Sequence, residues 1–314
     1  MFTRRRLLGA GLAGAAALAL PRLARAIGPG SKFRIGQLNL GTPVPRIDAV
    51  RRMTIELDKR TVIACDFEPP VVAPTAPTLH ETPFLYLSGD RDFAVPPPAG
   101  VEIVSRDRNA SPEPGLYNIC YVNGYQTQPD EEEWWLSEHP DLILRDADGN
   151  PVIDPDWDEM LLDISTPEKR AALAEIVGGW ITGCGADGFD AVEIDNLDTY
   201  SRSDGLLTQD HAVAFMSLLS QTAHDGGMAI AQKNSAEIVD RQAELGTDFV
   251  VAEECNRWDE CQVYTDVYGG AVLVIEYRQE DFDVGCAAFP GLSIVLRDLD
   301  LVPAGDPSYV FDGC

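Results

Sequence analysis

The sequence predicts an α/β chain: a (β/α)8 TIM barrel over residues 83–314, behind a short β-rich N-terminal extension. Two observations predict it. Short apolar runs alternate with longer helical or loop stretches, the pattern of parallel strands joined by crossover helices. Nearly every run also finishes in polar or ionisable residues. In a barrel these C-terminal strand ends meet on one face, where active sites are built.

The first 26 residues stand outside the fold. Thr3-Arg4-Arg5-Arg6-Leu7-Leu8 precedes an Ala/Gly/Leu-rich run to Leu20 and then Ala24-Arg25-Ala26. This reads as a twin-arginine export signal with a small-residue cleavage site. The apolar run is short for a membrane span, so the expected product is exported, periplasmic or extracellular, without stable membrane insertion after signal removal. A retained anchor is the alternative. Residues 27–82 form an extension of unassigned role, rich in Pro, with β-like runs at 33–40 and 61–66.

The barrel strands are expected at 84–88, 101–105, 117–122, 191–194, 228–231, 249–252, 271–275 and 292–296. Helices are expected at 166–180, with Thr166 as N-cap and Pro167 in the first turn, and at 210–224, closing at Asp225-Gly226-Gly227. The strand ends read Arg106-Asp107-Arg108, Asn123-Gly124-Tyr125-Gln126, Asp195-Asn196, Gln232-Lys233-Asn234, Glu253-Glu254, Glu276-Tyr277 and Arg297-Asp298.

Charge is uneven along the chain. Residues 27–98 are neutral, whereas residues 99–314 hold 11 basic and 43 acidic residues. Such a surface repels nucleic acid and anionic membrane and favours a cationic ligand; salt adaptation or simple solubility would produce it equally. Seven cysteines in an exported chain imply disulfides with one left over. Cys255 and Cys261 are close enough for a local bridge, and Cys286–Cys314 and Cys120–Cys184 are the other expected pairs, leaving Cys65. Zinc is not expected: there is no CxxC or HExxH, and only four scattered His.

The most informative stretch is Gly188-Phe-Asp-Ala-Val-Glu-Ile-Asp-Asn-Leu-Asp-Thr-Tyr200. Glu193 and Asp195 are two apart, so on a strand they leave the same face. Buried charge is costly unless paired, so carboxylates there suit acid/base work or cation binding; a solvated strand end is the plain alternative. Glycosidic cleavage needs two carboxyl groups flanking the bond, and Asp195 and Glu253 end two different strands. Neighbours such as Glu193 and Glu276 could raise an acid's pKa, and Lys233 would orient a carboxylate or meet a sugar hydroxyl. Tyr125, Trp134, Trp135, Tyr200 and Trp258 sit in strand-end loops, where they could stack on sugars or simply pack. Glu193, Asp195 and Asp198 could instead hold Mg²⁺ or Ca²⁺, but no phosphate-binding basic residues accompany them. There is no GxSxG and no phosphate-cradling Gly loop.

From about Pro96 to Cys314 the chain resembles glycoside hydrolase family 114, which includes endo-α-1,4-polygalactosaminidases. The resemblance rests on Val104-Ser-Arg-Asp-Arg108, Asn118-Ile-Cys-Tyr-Val-Asn-Gly-Tyr-Gln-Thr-Gln-Pro129, Leu162-Asp-Ile164 and the 188–198 stretch. It continues through Gln232-Lys-Asn234, Ala252-Glu-Glu-Cys255, Glu260-Cys261 and Glu276-Tyr277. It implies a (β/α)8 barrel hydrolysing α-1,4-linked galactosamine polymer, with Asp195 as nucleophile or base and Glu253 as general acid. A de-N-acetylated substrate would be cationic, in keeping with the acidic excess. Substrate contacts are expected from Arg106, Asp107, Tyr121, Asn123, Gln126, Glu193, Asn196, Asp198, Tyr200, Lys233, Asn234, Glu276 and Tyr277, with no cofactor and no metal. The family's Asp-Tyr-Gln-like first strand is replaced by Tyr86-Leu-Ser-Gly-Asp-Arg-Asp-Phe-Ala-Val95. That departure leaves a silent barrel that binds amino-sugar polysaccharide as one alternative, and because fold does not fix substrate a hydrolase of another α-linked glycan is a second.

Overall fold

A parallel strand covered by helices on one face and a barrel interior on the other has no wet side, so it reads as a continuous apolar run. The computed structural model places a strand at each of the eight runs. It describes residues 96–314, together with the backbone of three earlier strands. By contacts the chain divides into two compact units, Met1–Pro70 and Val71–Cys314. In the first, β1 (Arg52–Leu57) and β2 (Thr61–Asp66) pair antiparallel. The expected run at 33–40 lies outside the described residues.

The second unit is the barrel. Its parallel strands are β3 (Phe84–Ser88), β4 (Val101–Asp107), β5 (Tyr117–Asn123), β6 (Ala191–Asp195), β7 (Ala229–Lys233), β8 (Phe249–Glu253), β9 (Val272–Glu276) and β10 (Ser293–Arg297), paired in chain order. A short antiparallel β11 (Phe311–Gly313) borders β10, and β10 also lies against β3, which curls the sheet round. Phe84–Ser88 thus supplies the first barrel strand.

The covering helices are α1 (Glu132–Glu138), α2 (Pro167–Asp187), α3 (Gln209–Asp225), α4 (Gln242–Leu245), α5 (Cys261–Tyr268) and α6 (Gln279–Ala288). The Thr166 hydroxyl accepts from Lys169 N at the start of α2, the capping that the sequence signals. The helix runs beyond the expected Trp180 and stops at Gly188, whose φ of 98° only glycine adopts cheaply. At α3, Thr208 and His211 cap each other's backbone reciprocally, with His in place of the usual Glu or Gln of a capping box.

Strand periodicity sorts the side chains. Ile103, Ile119, Ala191, Ala231, Val251, Ile275 and Val295 belong to one buried cluster that fills the barrel. Residues two further along each strand share that face: Ser105, Tyr121, Glu193, Lys233, Glu253, Tyr277 and Arg297. Val192, Ile194 and Ile230 face outward into the layer that holds Leu173, Val177 and Phe215. The disulfides are Cys120–Cys184, Cys255–Cys261 and Cys286–Cys314, the pairs expected from the sequence; the Cys65 side chain lies outside the described residues. Among those residues no helix is long and apolar enough to cross a membrane.

Candidate active site

At the C-terminal mouth of the barrel, Lys233 from β7 sits among three carboxylates. Its Nζ lies 3.1 Å from Glu193 Oε1, 3.3 Å from Asp195 Oδ1 and 3.2 Å from Glu253 Oε2. Glu193 is deepest, its side chain 1% exposed, whereas Asp195 and Glu253 are 20% and 26% exposed. The deep carboxylate therefore anchors the lysine, and the other two are partly exposed at the barrel mouth.

Each carboxylate has further donors. Ser105 Oγ donates to Glu193 Oε2 at 2.8 Å. Tyr121 Oη donates to Asp195 Oδ2 at 2.8 Å, and Asn196 N to Asp195 Oδ1 at 2.8 Å. Glu253 accepts from Tyr277 Oη and from Asn234 Nδ2, while its own N–H donates to Asn234 Oδ1 at 2.8 Å. Asn234 thus clamps Glu253 from both ends.

The electrostatics follow from burial and these contacts. Burial works to raise Asp195, but the Lys233 ammonium and the donors from Tyr121 and Asn196 outweigh it and hold this carboxyl below the usual range. Burial pushes Glu193 up, with Lys233 only partly offsetting it. Burial would lower Lys233, yet Asp195, Glu253 and Glu193 keep it well above the ordinary lysine value. The Tyr121 and Tyr277 hydroxyls are pushed up by burial and then by Asp195 and Glu253 respectively, so both stay protonated donors.

The backbone is unusual at the same three strand ends. Asn196 after β6 (φ 65°), Asn234 and Ser235 after β7 (φ 48° and 64°) and Glu254 after β8 (φ 55°) all take left-handed conformations. Such residues cost on the order of 1–3 kcal/mol each outside glycine and cluster at functional sites. Close packing at this rim appears at Gly124 as well, where a Cβ would come within 2.5 Å of Ile194 Cγ2.

A second polar network borders the first. Asn196 Nδ2 donates to Asn123 Oδ1 at 2.9 Å, and Asn123 Nδ2 to Glu159 Oε2 at 2.9 Å. Gln126 Nε2 donates to Asp154 Oδ2 at 2.7 Å. Arg202 ties the network together by contacting Asn196, Asp198 and Asp154.

Of the residues expected at the site, Asp195, Glu253, Glu193, Lys233, Tyr121, Asn234 and Tyr277 form the cluster, and Asn123, Gln126, Asn196 and Asp198 form the adjoining network. Asp107 is nearly buried on the barrel-facing side of β4, bonded to Asn109 N and Gln128 Nε2. Three residues lie elsewhere. Arg106 is on the outer face of β4, paired with Glu113 and the Ser111 carbonyl. Glu276 is buried on the outer face of β9 and accepts from Asn256 N and Nδ2, both at 2.9 Å. Tyr200 is largely buried and donates to Glu237. Among the aromatics, Tyr125 and Trp135 are core residues, and Trp134 packs edge-on against Trp135 and His139. Trp258 remains exposed.

Sequence reasoning missed Ser105, Arg202, Asp154, Glu159 and Asn256. Ser105 was findable, because it precedes Asp107 by two and shares its strand face. Arg202 lies four after Asp198, a helical pairing distance. Asp154 and Glu159 carry no local signal; long-range turns across the 126–162 excursion bring them in.

The profile of glycoside-hydrolase family GH114 matches residues 72–314. Among solved structures, the barrel is similar to Aspergillus fumigatus Ega3 in complex with galactosamine (TM-score 0.57, 22% identity, covering 77% of this chain and 98% of that one). It is also similar to the glycoside hydrolase domain of PelA from Pseudomonas aeruginosa (TM-score 0.51, 15% identity, covering 72% and 97%). A comparison with curated protein sequences finds no match.

Proposed function

The chain belongs to glycoside-hydrolase family GH114, and from that premise we propose that it is an exported enzyme cleaving α-1,4-linked galactosamine-containing polysaccharide with Asp195 and Glu253. The observation that carries this reading is the pair of partly exposed carboxylates held by one ammonium at the barrel mouth. Asp195, kept ionised by Lys233, Tyr121 and Asn196, suits the nucleophile. Glu253 suits the general acid. Three carboxylates around one ammonium leave two negative charges uncompensated when all ionise, so a proton within the cluster relieves repulsion. Glu253 is the most exposed of the three carboxylates, so a departing glycosidic oxygen can reach it directly.

This reading takes the anomeric configuration as retained. Asp195 Oδ1 and Glu253 Oε2 each lie close to Lys233 Nζ, so these oxygens are at most about 6.5 Å apart. That bound on the two lysine-facing oxygens accommodates the roughly 5–5.5 Å of retaining enzymes. In this reading Asp195 attacks the anomeric carbon while Glu253 protonates the departing glycosidic oxygen. Glu253 then takes a proton from a water whose oxygen bonds to the anomeric carbon, which breaks the bond to Asp195 and returns its carboxylate.

The galactosamine in the Ega3 structure supports an amino-sugar substrate, as does the acidic excess of residues 99–314. The arginine-rich leader and three disulfides support export to an oxidising compartment. The test is release of oligosaccharides from partly de-N-acetylated α-1,4-galactosamine polymer. Asp195→Asn and Glu253→Gln are expected to cut the rate by about a hundredfold or more while still binding polymer. No release by folded wild type on this polymer, but release from another α-glycan, would reassign the substrate; binding without any release would leave a silent barrel.

A further inference from the structure

We propose that Trp258 is a sugar-stacking platform of the substrate cleft, presented to a pyranose ring of the bound polymer by the disulfide-closed loop 255–261. The proposal rests on the hydrolase reading for its substrate. Its physical basis is the way an exposed indole is held still.

Trp258 follows Glu253 by five residues at the C-terminal end of β8, so its loop belongs to the rim that carries the site. The residue is 60% exposed. An indole left in water forfeits much of the stabilisation that burial would bring, and a loop with freedom to move would fold it down. This loop has little such freedom. Cys255–Cys261 closes it, and the Cys255 carbonyl accepts from Glu260 N at 2.8 Å. Trp258 N donates to the Glu254 carbonyl at 3.1 Å.

A buried carboxylate fixes the loop from below. Glu276 faces outward from the barrel interior and takes both Asn256 hydrogen bonds on one oxygen. Asn256 is seated so tightly against α6 that a Cβ on Gly285 would come within 2.2 Å of its Nδ2. Above, the Arg257 guanidinium lies 4.9 Å from the Trp258 ring centroid and pairs with Glu254, which offsets its charge. One flank of the indole is thereby supported while the residue as a whole stays mostly exposed. The axial C–H groups of a pyranose form an apolar face that matches such a ring, and a pre-fixed aromatic loses little entropy on contact. The role of Glu276 is accordingly to position the loop.

The experiment compares wild type, Trp258→Ala and Trp258→Phe on α-1,4-galactosamine chains of graded length, with calorimetric titration of the same chains in an Asp195→Asn background. Trp258→Ala is expected to raise KM for long chains about tenfold, to change kcat by less than about twofold and to leave the shortest cleavable chain unaffected. Trp258→Phe should recover most of the loss, and Trp258→Gln repeats the reading if the alanine variant fails to fold. Equal KM in wild type and both truncated variants overturns the platform. If wild type cleaves none of these chains, the hydrolase reading falls separately and titration decides: weaker binding by the Trp258 variants upholds the platform. Equal binding, or none to any of them, overturns it.

Discussion

A lysine ammonium taken out of water loses its hydration unless anions replace it, and Lys233 has Glu193, Asp195 and Glu253 within 3.3 Å. Removing one partner of a buried ionic group leaves charge uncompensated, which costs on the order of 3–5 kcal/mol. Lys233→Met should therefore lower unfolding free energy by about 3 kcal/mol, read by urea titration at neutral pH. The same variant tests the pH logic. Asp195 is held below its ordinary value in the folded protein, so its stabilisation is present above the unfolded-state pKa of about 3.9 and is lost as pH falls through the folded value. Without Lys233 the folded value rises, so the acid limb of both stability and kcat/KM should move to higher pH. An unmoved acid limb would show that the ammonium does not control Asp195. Residue identity was legible here: Asp195, Glu253, Glu193 and Lys233 all stand at strand ends in the sequence. That one nitrogen bonds all three carboxylates was not, because β6, β7 and β8 meet only through pairings far apart along the chain.

At the scale of elements, the eight strands and the two long helices follow from apolar runs and caps that lie close in sequence. Thr208 illustrates the energetics: its hydroxyl satisfies the His211 N–H at the first turn of α3. Thr208→Ala should destabilise the fold by about 1 kcal/mol with kcat unchanged, as thermal unfolding and steady-state rates would show. A larger loss would mean that the cap also holds the preceding 203–208 turn. The elements that sequence left as loops are short and stabilised from a distance. Helix α1 is a seven-residue helix with no side-chain cap, anchored by Trp135 in the core. The 126–162 excursion is stitched by isolated bridges such as Gln126↔Leu161 and Ile143↔Leu162. Neither has a periodic pattern long enough to read.

For the whole molecule, charge is the property that sequence alone supplies. Residues 99–314 hold 43 acidic residues against 11 basic ones, a field that concentrates a cationic polymer and weakens as salt screens it. KM for a de-N-acetylated galactosamine polymer should rise several-fold between about 0.05 and 0.5 M salt, while KM for a fully acetylated one stays flat. Equal salt dependence for both polymers would assign the acidic surface to solubility alone.

The sequence by itself determined the strand succession, the family and the carboxylates at the mouth, because each is written in local pattern or motif; the long-range pairs Cys120–Cys184 and Cys286–Cys314 were decided by the fold. Tertiary structure decided which alternate residues look into the barrel. A two-residue period separates two faces but does not label them; closure of the sheet does, through contacts between distant strands. That is why Tyr277 reaches Glu253 while its neighbour Glu276 turns away to hold Asn256. It is also why Ser105 bonds Glu193 while Arg106 pairs with Glu113 on the outside.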